Sequence, residues 1–72
     1  MTDVKVLCGR NIAKYRKELG LTQHQLAKKV GIQHSSIAHY ETYVTLPRAD
    51  CLMWLAEALG VKIYELFMAC EE

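Results

Sequence analysis

Thr-Gln-His-Gln-Leu-Ala-Lys-Lys-Val-Gly-Ile-Gln-His-Ser-Ser-Ile-Ala-His-Tyr-Glu, residues 22–41, decides how this chain is read. Thr22 has the side chain of a helix N-cap, and Gln25, three residues on, completes a capping box. The helix it opens buries Leu26, Ala27 and Val30, and Gly31 stops it. Ile32 begins a short turn. A further helix runs from about Gln33 to Glu41 with Ile37 and Tyr40 inward.

An α-helix turns about 100° per residue, so His34, Ser35, Ala38 and His39 share one side while Ile37 and Tyr40 point away. That outer side carries small polar groups and no acid before Glu41. Such a helix, held clear of its own domain, has the shape and chemistry to enter a DNA major groove. The two helices and their tight turn form a helix-turn-helix.

Working outward, Val4, Cys8, Ile12, Tyr15 and Leu19 keep the 3–4 spacing of an amphipathic helix over 4–18, which Gly20 ends. Lys14 and Lys17 lie off its stripe. Residues 42–48 contain Pro47 and read as a loop. A fourth helix, 50–59, turns Leu52, Leu55, Ala56 and Leu59 inward and stops at Gly60. A fifth, about 62–69, buries Ile63, Leu66 and Phe67. The expected fold is all-α: a compact five-helix bundle with helices 4–18, 22–30, 33–41, 50–59 and 62–69. Residues 1–72 make one domain, near the lower size limit for folding alone.

Composition narrows the function. Half of the 72 residues are apolar, which fits a packed core rather than a disordered chain. No apolar run is long enough to cross a membrane, and no signal peptide is expected. Cys8, Cys51 and Cys70 are odd in number and far apart, as free thiols in a reducing cytoplasm would be. The net charge of +1 conceals a division. Residues 1–48 hold eight Lys and Arg against Asp3, Glu18 and Glu41, a net of +5. Residues 49–72 hold Lys62 against five acids, a net of −4. The basic part is suited to a polyanion, the acidic part to solvent or a protein partner.

Taken together the pattern resembles the Cro/CI-type helix-turn-helix family, that of the lambdoid phage repressors and many small bacterial regulators. The residues that carry the resemblance are Gly9-x-x-Ile12, Arg16, Gly20-Leu21-Thr22-Gln23, Leu26-Ala27, Val30-Gly31-Ile32, Ile37, Tyr40-Glu41, Pro47, Leu52, Leu55-Ala56, Leu59-Gly60-Val61 and Leu66-Phe67. They span about 9 to 67. The resemblance implies a lambda repressor-like domain that binds double-stranded operator DNA as a two-fold dimer. It implies that His34, Ser35, Ala38 and His39 read bases, that Gln23 reaches a phosphate, and that Arg16 and Glu41 form an ion pair tying the first helix to the third. Lys14, Lys17, Lys28, Ser36 and Arg48 are the further candidate phosphate contacts.

Three departures stand out. Where the family has glycine after the third helix, this chain has Tyr43, which implies a different loop path or strain. The loop also has Val44, Thr45 and Leu46 in place of lysines. Trp54 stands where a polar residue is usual. With Met53, Ala58, Tyr64 and Met68 it forms the expected dimer face, since aromatic and Met residues are enriched in interface cores. A palindromic operator and a homodimer are therefore expected, with regulation by occupying DNA. The competing reading is an antitoxin or interaction module whose helix 4–5 face covers a protein partner.

No metal or cofactor is expected. His34 and His39 diverge by roughly 140° on their helix, and His24 lies on another helix with no cysteine close in sequence. No nucleophile–base pair or phosphate-cradling glycine loop appears, so an enzyme is not expected.

Overall fold

The computed structural model describes residues 3–69. Among them are four α-helices and no strand: α1 (Val4–Glu18), α2 (Gln23–Val30), α3 (His34–Glu41) and α4 (Ala49–Leu59), followed by a 3-10 turn (Ile63–Phe67). The all-α class agrees with the sequence reading, and the count differs by one. The fifth helix expected over 62–69 is the 3-10 turn.

The side chain of Asn11 on α1 ties the end of this segment to the first helix. Its amide donates to the carbonyls of Leu66 at 2.9 Å and Met68 at 2.7 Å. Met68 is left extended (φ −80°, ψ 147°), so it does not share a helical face with Tyr64 as an i, i+4 pair would. In the tighter 3-10 turn Ile63 and Leu66, three apart, lie on one face a turn from each other, and Phe67 is set off by about 120°. Leu66 alone of the three is fully buried, while Ile63 is 41% exposed.

Helix ends elsewhere follow their caps. Asp3 accepts from the Lys5 backbone N–H at 2.8 Å and opens α1. Thr22 is an N-cap rather than the first helical residue: its hydroxyl accepts from the Gln25 N–H at 3.0 Å, and its own N–H donates to Gln25 Oε1 at 2.8 Å. Gln33 is likewise a cap rather than part of α3, and α4 starts at Ala49. At Gly31 the backbone turns left-handed (φ 87°), and the N–H groups of Gly31 and Ile32 both return to the Ala27 carbonyl. A residue with a Cβ would be strained there.

One core joins all five elements: Cys8 and Ile12 from α1, Leu26 and Ala27 from α2, Ile37 from α3, Cys51, Leu55, Ala56 and Leu59 from α4, and Leu66. Each fully buried Ile or Leu contributes about 1.5–3 kcal/mol. The apolar stripe read along α1 is buried only in its middle. Val4 and Leu19, at its two ends, are half exposed. The buried residues of this helix run only from Cys8 to Arg16. Val30, Tyr40 and Leu52 are half-buried at the edge of the core.

Candidate nucleic-acid interface

The sequence of α2–turn–α3 places an outward row on α3 because Ile37 is anchored to the core with no exposure. His34, Ser35 and His39 are exposed, while Ala38 and Ser36 are half-buried. Gln33 makes no side-chain bond to the first turn of α3, so that turn carries no cap from its own chain. The outer row predicted from helical spacing is therefore present, with Ala38 set deepest.

The orientation of α3 is fixed from its other end. Glu41 accepts Arg16 Nε at 2.7 Å on Oε2 and Arg16 Nη2 at 2.9 Å on Oε1, a two-pronged pairing. Arg16 Nη1 continues to the Leu21 carbonyl at 2.7 Å, and Gln23 Nε2 donates to Glu41 Oε1 at 3.0 Å. One carboxylate thus ties together α1, the α1–α2 connection, the start of α2 and the end of α3. Both charged side chains are nearly covered, 11% and 7% exposed. Gln23, a candidate phosphate contact, is held by this network rather than swinging free.

The remaining cations differ in their surroundings. Lys14, Lys17, Lys28 and Lys29 are exposed, with Lys14 Nζ lying 5.1 Å from the Tyr15 ring centroid. Arg48 is paired on its own chain, its Nη2 lying 3.2 Å from Asp50 Oδ2. That pair is solvent-exposed and worth little. The Asp50 carboxyl is held below its ordinary range by the Cys51 backbone N–H and then by Arg48.

The contacts of three residues were not foreseen in the sequence, although Gly9 stands in the family pattern and His24 was noted. His24 on α2 meets His34 on α3 with ring centroids 5.5 Å apart at 61°, a meeting of residues ten apart that only the helix crossing creates. Asn11 is the second; its signal was a polar residue inside the apolar stripe between Cys8 and Ile12. Gly9 is the third. A Cβ there would fall 2.3 Å from the Tyr40 carbonyl and 2.8 Å from Tyr43 Cδ1.

Tyr43 itself adopts φ 67°, the left-handed conformation for which the family's glycine is suited. The departure is thus accommodated without a new path: Tyr43 takes the strain, and its ring lies against α1 over Gly9.

Met53 and Trp54 on α4, with Tyr64 and Met68 beyond it, are exposed. Trp54 is 49% exposed. Trp54 and half-buried Ala58 line a cleft of about 280 Å³ with Lys29, Val30 and Glu57. Behind that face, Cys51 and Cys8 are buried free thiols, and Cys70 lies outside the described residues. Cys51 Sγ lies 3.5 Å from the Tyr40 hydroxyl. Burial, then the nearby Cys51, pushes the Cys8 thiol up to about 11. Burial, then hydrogen bonding to Cys51, pushes Tyr40 up to about 12.

Comparisons with known proteins agree with this geometry. A helix-turn-helix family model, HTH_3, matches residues 12–66. An uncharacterised HTH-type transcriptional regulator of Sinorhizobium fredii is 34% identical over 70 residues, 97% of this chain and 91% of that protein. The cryptic phage CTXphi transcriptional repressor RstR of Vibrio cholerae is 38% identical over 55 residues, 76% of this chain but 49% of that protein. Among solved structures, the restriction-modification controller protein C.AhdI of Aeromonas hydrophila superposes with a TM-score of 0.82 at 28% identity, covering 88% of this chain and 96% of that one.

Proposed function

We propose, from the premise that this chain belongs to the helix-turn-helix family HTH_3 and is a DNA-binding transcriptional regulator, that it reads a palindromic operator as a homodimer and represses by occupying it. The observation that carries this reading is the pairing of an exposed, acid-free row on α3 with a buried Arg16–Glu41–Gln23 network that fixes the helix in place. A reading head has to be presented rigidly as well as exposed, since loosely held contacts lose affinity to ordering.

In this reading His34, Ser35, Ala38 and His39 meet base edges. An imidazole serves guanine N7 or O6 when protonated, a hydroxyl accepts either partner, and the Ala38 methyl suits thymine. Gln23, Lys14, Lys17, Lys28 and Ser36 meet phosphates and supply most of the affinity. Arg48 contributes less, since Asp50 already competes for it. Trp54, Met53 and Ala58 form the dimer contact with Tyr64 and Met68 at its margin, and two α3 helices then sit about 34 Å apart, one DNA turn. Repression is supported by the likeness to RstR, whose name states that role. Free Cys8 and Cys51 are in keeping with the cytoplasm.

The decisive experiment is selection of genomic fragments by the purified protein, followed by sequencing. Two inverted half-sites one helical turn apart are the expected result. Recovery of unpatterned DNA, with no enrichment over input at low salt, would overturn the reading and favour a protein partner for the Trp54 face.

A further inference from the structure

We propose that His24 and His34 together form a chelating site for a divalent late first-row transition ion, with Zn2+ as the best geometric match. His24 is the second residue of α2 and His34 the first of α3, and the crossing of the two helices sets their rings 5.5 Å apart between centroids, 61° from coplanar. Both side chains are exposed, so ring rotation needs no repacking of the core.

The distance is the argument. A zinc–imidazole bond is about 2.0–2.1 Å and a ring centroid lies about 1.1 Å behind its nitrogen, so each centroid stands about 3.2 Å from the metal. The rings now meet edge-on; turned about their Cβ–Cγ bonds so that a nitrogen of each faces one ion, two ligands with centroids 5.5 Å apart subtend about 118° at it. That is near the tetrahedral angle and far from the right angle that square-planar ions require. Neutral imidazole is also a common protein ligand for metal ions.

Among the described residues no third His, Cys, Asp or Glu completes the pair. Two tetrahedral positions are therefore left to water or an anion, and the site is open and exchangeable rather than structural. Both imidazoles stand in the first turn of a helix, whose positive end opposes a cation and favours an anionic further ligand. The affinity is accordingly that of a regulatory contact, not of a permanent metal. Filling the site ties the start of α2 to the start of α3 and takes the His34 ring away from base edges. That last consequence rests on the DNA reading above; binding of the ion does not.

The test is a Zn2+ titration of the full chain carrying Cys70→Ser, followed by calorimetry and by the histidine ring resonances. One ion per chain is expected, with His24 and His34 shifting together and His39 unmoved. His24→Gln and His34→Gln should each weaken binding at least tenfold, and His39→Gln should leave it unchanged. Equal losses in all three variants, or full affinity in His24→Gln, would overturn the proposal. In a second arm, Zn2+ should weaken binding of the selected operator by the wild-type chain and not by His24→Gln. Zinc binding without that competition would remove the coupling alone. A chain that takes zinc and ignores every duplex would remove the DNA reading instead.

Discussion

Gln23 and Glu41 are joined by a 3.0 Å hydrogen bond, Nε2 to Oε1, that runs from the first residue of α2 to the last residue of α3. Glu41 engages one N–H of the amide and so orients the other N–H and Oε1. A neutral side chain oriented in this way contributes a hydrogen bond to phosphate without releasing counterions. Gln23→Ala should weaken all duplexes alike by about 1.5 kcal/mol, near tenfold, with the salt dependence unchanged. Lys28→Ala should instead lower the slope of log affinity against log salt by about one. Titrations at several salt concentrations separate the two, and a sequence-dependent loss in Gln23→Ala would contradict the phosphate role.

Arg16 and Glu41 predict a strong but non-additive effect on stability. Arg16→Met leaves a nearly covered carboxylate with only Gln23 as partner, and Glu41→Leu leaves a guanidinium with only the Leu21 carbonyl. Each should cost about 3–5 kcal/mol in urea unfolding, and the double variant less than the larger single change. Additive losses would mean that the two charges act independently.

Much of this was legible before any coordinates, because the signals were local. Thr22, Gln25 and Gly31 mark helix ends through their own backbone chemistry, and Ile37 marks the inner side of α3 by spacing alone. The remainder was set by contacts distant in sequence. Asn11 holds the carbonyl of Leu66, 55 residues away, a contact that no local signal in 62–69 announces. His24 and His34 sit on different helices, and no periodicity relates them. Tyr43 lies between these cases: its strain was readable from the family's glycine, but its seat over Gly9 was not.

That seat gives a third prediction. Gly9→Ala puts a methyl group 2.3 Å from the Tyr40 carbonyl, which is backbone and cannot swing aside. The overpacking should cost about 3 kcal/mol. Removing the ring with Tyr43→Gly should not rescue it, because the carbonyl contact remains. Full recovery in the double variant would show that the ring, not the backbone, sets the constraint.

Cys8 links the core to pH. Its thiol has an ordinary value of 9.0 and is raised to about 11 by burial. Between these values the unfolded chain loses its proton and the folded chain keeps it, so the unfolded state binds fewer protons. Stability is then full below about pH 9 and falls as pH rises toward 11, by at most about 1.4 kcal/mol per unit from this group. Tyr40, raised to about 12, adds to the decline above pH 10. Urea midpoints at pH 7.5, 9 and 10 should fall less steeply in Cys8→Ala than in the wild type; parallel slopes would assign the alkaline loss elsewhere.

Trp54 decides between a monomer with an apolar flank and a two-fold reader. Its ring is half exposed beside a cleft flanked by one cation, Lys29, and one anion, Glu57. A two-fold contact needs a surface that complements itself, and a patch carrying both signs around an aromatic anchor meets that need. Trp54→Glu puts a second acid beside Glu57 and a charge at the centre of the proposed contact, so sedimentation should show monomer under conditions where the proposed dimer is expected of the wild type. Binding to a full palindrome should then fall toward that of a half-site, because the second α3 no longer arrives already linked to the first. An unchanged assembly would exclude Trp54 as the anchor and leave its face to a different protein.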